Sequence, residues 1–162
     1  MWTMVAIALA GLVGPATAKQ LVLKGTPVVR VMLSPGGEVK KEELSAGQRN
    51  EFMLLITKDV ENYTWESREQ KPLVVMESGA YTHFVSPSYG WIKVGDGSKL
   101  KETIEAARAT GAKIDDQMVA QVLAEQFVAP WMLKHEYFYF EVITQGMLVG
   151  VYWGYADEFS PK

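Results

Sequence analysis

Glu136-Tyr137-Phe138-Tyr139-Phe140-Glu141-Val142-Ile143-Thr144, then Gln145-Gly146, then Met147-Leu148-Val149-Gly150-Val151-Tyr152-Trp153-Gly154-Tyr155, is the stretch on which the fold turns. Both arms are rich in β-branched and aromatic residues, and Gln145-Gly146 supplies a turn, so the stretch reads as a long β-hairpin. A two-residue turn there sets Thr144 opposite Met147. Val142 then faces Val149, Phe140 faces Val151 and Phe138 faces Trp153. This set is the predicted core side, covered by helices. The opposite side carries Ile143 with Leu148, Glu141 with Gly150, Tyr139 with Tyr152 and Tyr137 with Gly154. Glycines beside tyrosines leave a shallow floor bearing phenols and one carboxylate. Tyr137, Tyr139, Glu141 and Tyr152 are therefore the candidate binding face, because tyrosine combines a large contact area with a hydrogen-bonding tip. The plainer alternative is that the tyrosines pack over the glycines and cap the sheet.

Upstream of the hairpin, two segments read as helices. In the first, Leu100, Ile104 and Ala107 share one face, Ser98 is a cap and Gly111 suits a left-handed end. In the second, Asp115 or Asp116 caps a stripe of Ile114, Met118, Val119, Val122, Leu123 and Phe127, and Pro130 stops it. Trp131, Met132 and Leu133 follow in a connector. They suit a plug for the open end of the core or a docking patch.

Extended segments dominate the rest. Gln20 to Leu33 is β-patterned, with Gly25-Thr26-Pro27 as a break. Ser45 and Gln48 form a capping-box pattern, and Phe52, Leu55, Ile56 and Val60 follow at helical spacing. That predicts a helix, with a buried strand from Phe52 to Thr57 as its rival. Tyr63 to Glu66, Pro72 to Met76, Tyr81 to Val85 and Trp91 to Val94 read as strands, the last two joined by Ser86-Pro87-Ser88-Tyr89-Gly90. The expected architecture is an α+β domain over residues 19–156: an antiparallel sheet of about six or seven strands, with two or three helices packed on one face. Residues 157–162 read as a loose tail.

The start of the chain predicts an address. Met4 to Val13 is apolar, Gly14-Pro15 breaks it, Ala16-Thr17-Ala18 is a small-x-small triplet, and no charged side chain precedes Lys19. These are parts of a secretory signal peptide over residues 1–18, with cleavage after Ala18, although the usual basic start is missing. The run is about ten residues long, and a membrane-crossing helix needs roughly twenty, so no permanent membrane anchor is expected. The alternative is a structural helix. The chain of 162 residues contains no cysteine, which excludes a disulfide framework and suits a periplasmic or secreted protein of a bacterial envelope. The net charge of -3 gives no basic field for nucleic acid.

Chemistry is thinly signposted. His83 and His135 are the two histidines, and neither sits in a metal-ligand spacing. No metal and no cofactor is expected, the residual option being both histidines with Glu77, Glu136 or Asp96. His83 lies near Glu77, Ser78 and Ser86, but G-x-S-x-G is absent and neighbouring strand residues point to opposite sides. Val94-Gly95-Asp96-Gly97-Ser98-Lys99 could cradle an anion at a helix start, but Asp96 opposes it and a capped glycine turn explains it. The leading expectation is a non-catalytic binding or interaction protein of the envelope, taking a protein or a small molecule on the aromatic sheet face. The alternatives are a small periplasmic hydrolase or lyase, with His83 as base and Glu77 or Glu141 as partner, and a strand-pairing assembly component.

Overall fold

The computed structural model describes residues 18–145 and 148–160. The expected leader, apart from Ala18, lies outside the described residues. The strands are β1 (Gln20–Leu33), β2 (Val39–Glu43), β3 (Leu54–Asp59), β4 (Asn62–Trp65), β5 (Lys71–Ser78), β6 (Tyr81–Ser86), β7 (Gly90–Asp96), β8 (Tyr137–Gln145) and β9 (Leu148–Phe159). Helix α1 (Ala46–Glu51) precedes β3. Helices α2 (Gly97–Ala109) and α3 (Asp116–Glu125) and a 3-10 turn (Pro130–Lys134) link β7 to β8.

Every neighbouring pair from β3 to β9 is antiparallel, and β1 pairs with both β3 and β9. The sheet therefore closes. The expected open α+β sheet with helices on one face is corrected to an eight-stranded antiparallel barrel with β2 as an extra strand and small helices outside. Closure depends on the length of β1. Gln20 to Gly25 pair with β3 along one edge, Leu23 to Leu33 pair with β9 along the other, and Val29 to Leu33 hold β2 where β3 has ended. Gly25-Thr26-Pro27 is no break. The register shift between Pro27 and Val29 leaves Val28 as an extra residue in β1, and the shift between Lys24 and Gly25 leaves Asp157 as one in β9; bulges of this kind give a barrel its curvature. Pro27 lacks a donor where the ladder is already interrupted.

The barrel interior is filled. Leu23, Leu54, Ile56, Trp65, Phe84, Ile92 and Tyr139 are 0% exposed, and burying each apolar side chain contributes about 1.5–3 kcal/mol. A second cluster lies outside the wall, where Leu100 of α2, Leu123 of α3, Val128 and Met132 pack on Phe138. Both faces of the β8–β9 hairpin are thus covered. Phe138, Phe140 and Trp153 point outward beneath the helical segment, and Tyr139, Glu141 and Tyr152 point into the barrel. The face expected to be open is the barrel's inside.

The hairpin register also differs by two residues. Gln145 pairs with Leu148, Val142 with Val151 and Phe140 with Trp153. Gln145 is a ladder residue, not a turn residue. A slip of two changes every partner but keeps each side chain on its face. Helix α1 carries the full Ser45–Gln48 capping box, but it stops at Glu51. The continuously apolar Leu54-Leu55-Ile56 then forms β3, the rival reading. Asp96, not Ser98, caps α2 by accepting from the Lys99 amide at 3.0 Å. Asp115 caps α3 through the Met118 amide at 2.8 Å. Strand β9 continues to Phe159, into the segment expected to be a tail.

Candidate binding site at the barrel mouth

One end of the barrel is framed by the β5–β6 turn, the start of α2, the start of β8 and the end of β9. Gly79 makes the β5–β6 turn with a positive φ of 60°, which glycine adopts without steric penalty. These elements enclose a cavity of about 150 Å³ lined by Glu77, Thr82, Asp96, Lys99, Tyr137 and Phe159, among others. Glu77 pairs with Thr82 across β5 and β6, so both side chains point to the inner side of the wall. The rings of Tyr137 and Phe159 meet edge to face at 5.2 Å. Asp96 caps α2 with one oxygen and holds the other 3.9 Å from the Lys99 ammonium. Burial is the first cause raising the pKa of Tyr137, followed by the charges of Glu136 and Asp96.

Two of the residues singled out in the sequence, Glu77 and Tyr137, meet at this mouth. Three others lie deeper. Tyr139 is buried with its hydroxyl unpaired. Its ring occupies the space left by two glycines: a Cβ on Gly25 would come within 2.6 Å of it and one on Gly154 within 2.5 Å. Glu141 is 0% exposed and binds Arg68 through two contacts, Nε at 3.1 Å and Nη2 at 3.2 Å. Trp65 Nε1 approaches the same carboxylate without closing an aligned hydrogen bond. Burial pushes the Glu141 carboxyl up to about 7, against the opposing pull of Arg68. Tyr152 faces the Arg68 guanidinium at 5.5 Å and Phe52 at 5.9 Å. Arg68 also donates to the Phe52 carbonyl at 3.1 Å and so pins the far end of the barrel.

His83 stands on the outside of the wall. It pairs in register with Met76 and Lys93, while Glu77 and Glu141 point inward. The structure therefore does not bring His83 together with either carboxylate. Its Nδ1 accepts from Trp91 Nε1 at 3.1 Å, and the two rings stack at 5.7 Å. Burial, then the charge of Lys93, lowers its pKa. Lys93 itself is 7% exposed, donates to the Gln126 carbonyl and lies 4.7 Å from the Tyr81 ring centre. Among the described residues no three of His, Asp and Glu gather as a metal site, and no helix is long and apolar enough to cross a membrane.

Sequence reasoning missed Thr82, Phe159 and Arg68. The alternation of Thr82, Phe84 and Ser86 against Tyr81, His83 and Val85 carries the signal for Thr82. Phe159 was hidden in the supposed tail, and nothing in the sequence links Arg68 to Glu141.

Comparison with known proteins finds no family model, no curated protein and no solved structure that matches this chain. Architecture alone defines its class: a small, closed, antiparallel barrel with a packed interior and a shallow cavity at one mouth.

Proposed function

We propose that this protein is an exported, non-catalytic binding protein of a bacterial envelope that holds a small ligand at the mouth of its barrel. The observation that carries this reading is the mouth cavity, where Glu77, Thr82 and Tyr137 converge over an interior already filled by side chains. Barrel mouths are common ligand sites because the rigid wall fixes a few polar groups around a concave, partly apolar floor. The tyrosines deeper inside support the wall and leave binding to the rim. The envelope address rests on the apolar run Met4 to Val13 and the Ala16-Thr17-Ala18 triplet. Amino-terminal sequencing of natively exported protein should begin at Lys19; a start at Met1 overturns the address.

A fragment screen read by amide NMR tests the site. Binders are expected to shift the amides of Glu77, Thr82 and Tyr137. Binders that shift only α2 and α3 would overturn the mouth reading. They would favour a protein partner instead, because the groove between those helices is a cavity of about 270 Å³ walled by Leu100, Ile104, Met118 and Val122, the last two half-exposed. Hydrolase chemistry at His83 gains no support from a histidine on the other side of the wall from Glu77 and Glu141. Strand-pairing assembly is disfavoured at β2, whose Lys40, Lys41 and Glu43 put charges on the unpaired edge.

A further inference from the structure

We propose that the ligand of the barrel mouth is a small alkylammonium ion, its charge seated on Glu77 and Thr82 and its apolar body on Tyr137 and Phe159. This rests on the mouth reading above and names the chemistry of its ligand.

Three observations converge. The first is the distribution of charge. Two carboxylates and one ammonium line the cavity, and two of the three are already engaged with each other. Asp96 caps α2 and faces Lys99, whose side chain is 65% exposed. Glu77 has no side-chain partner among the described residues. An incoming cation therefore meets a carboxylate free to bind it, whereas an incoming anion meets two carboxylates and an ammonium facing one of them.

The second observation is Thr82. It is only 8% exposed, lines the cavity and has no side-chain hydrogen bond among the described residues. Its hydroxyl opens onto the cavity and is free to take a hydrogen-bond partner there. An ammonium N–H supplies that partner, with the hydroxyl oxygen accepting beside the Glu77 carboxylate. The third is the aromatic wall. Tyr137 and Phe159 meet edge to face, which leaves ring surface to attract a cation and to cover a short alkyl chain. A bare divalent metal is a poor alternative. Calcium takes about six to eight oxygen ligands, and no cluster of three acidic or histidine ligands forms among the described residues.

The test is an amide NMR titration of the full chain with three probes of one shape: n-butylammonium, n-butyrate and 1-butanol. Butylammonium should shift the Glu77, Thr82 and Tyr137 amides saturably, and the other two should not. Glu77→Gln, at an exposed position, should weaken butylammonium by about fivefold, as expected for a partly solvated ion pair. Tyr137→Leu should weaken it while leaving the shifts of β3 and β4 in place, which shows the barrel intact. If butyrate or butanol saturates the mouth as well as the ammonium, or if Glu77→Gln leaves ammonium affinity unchanged, the cation assignment is overturned and the mouth remains a binding site. If none of the three probes moves the mouth amides, the cation assignment is overturned, and the fragment screen decides the mouth reading separately.

Discussion

Glu77 and Glu141 both point to the inside of the same barrel, at opposite ends, and they behave as different chemical groups. Glu141 is sealed beneath Arg68, Trp65 and Tyr139, and its carboxyl is pushed up to about 7 by burial. Glu77 stands at the rim beside a cavity and is exposed to water. The end closed by Arg68 is a structural plug, with its charge held by two contacts and its backbone acceptors taken by the same guanidinium. The open end keeps a carboxylate and a hydroxyl uncommitted. The contrast teaches that the burial and pairing of a carboxylate, more than its place on a strand, decide whether it supports the fold or is available to a ligand.

The largest expected effect falls at the sealed end. Arg68→Ala strands Glu141 without its counter-charge, and breaking a buried pair in this way costs about 3–5 kcal/mol. Urea unfolding should show that loss at pH 8 and a smaller one at pH 5, where Glu141 carries a proton. Equal losses at both pH values would show that Arg68 acts through packing alone.

Next in size is the pH dependence of the native protein. The folded state raises the Glu141 pKa from 4.5 to about 7, so folded protein holds this proton at pH values where the unfolded chain has released it. The contribution to stability is complete below about 4.5 and is lost as pH rises through about 7. The loss is on the order of 3 kcal/mol. Glu42, Glu66 and Glu69 have lowered pKa values and act with the opposite sign, below that window. Glu141→Gln should flatten the stability profile between pH 5 and 8; an unchanged slope would assign it to other groups.

A smaller change is expected from Tyr139→Phe. It removes a buried hydroxyl that has no partner, so thermal unfolding should be unchanged or stabilised by about 1 kcal/mol. A clear destabilisation would reveal a hydrogen bond at that oxygen. The smallest effect belongs to the rim, where Glu77→Gln should change stability by less than about 0.5 kcal/mol. A larger cost would place Glu77 with Glu141 as a structural group and erase the contrast.

Local chemistry was readable from the residues; closure was not. The Ser45–Gln48 box, the Asp115 cap and the alternation of the last hairpin all stand in the sequence, because each depends on neighbours a few residues apart. Closure depends on backbone edges, which carry no side-chain signature. The bend that allows it, Gly25-Thr26-Pro27, uses the same residue types as a loop. Alternation also separates two faces without saying which one is inside. Phe138, Phe140 and Trp153 resemble a core and lie on the outer wall; Tyr139, Glu141 and Tyr152 resemble a surface and lie within. At the mouth, Glu77 and Tyr137 could be singled out separately, but their meeting follows from the barrel, in which β5 and β8 are brought to one end with β6 and β7 between them.

Strand β1 is stitched to β9, the last strand of the fold, along most of its length. During synthesis on the ribosome that seam cannot be drawn shut until the final strand has emerged. Every shorter nascent chain carries two ragged borders of unsatisfied amides and carbonyls. Ring closure is thus a late event that joins sequence-distant partners, and such pairings form slowly. A chain stopped before β9 would leave β1 as a loose border open to pairing with other chains.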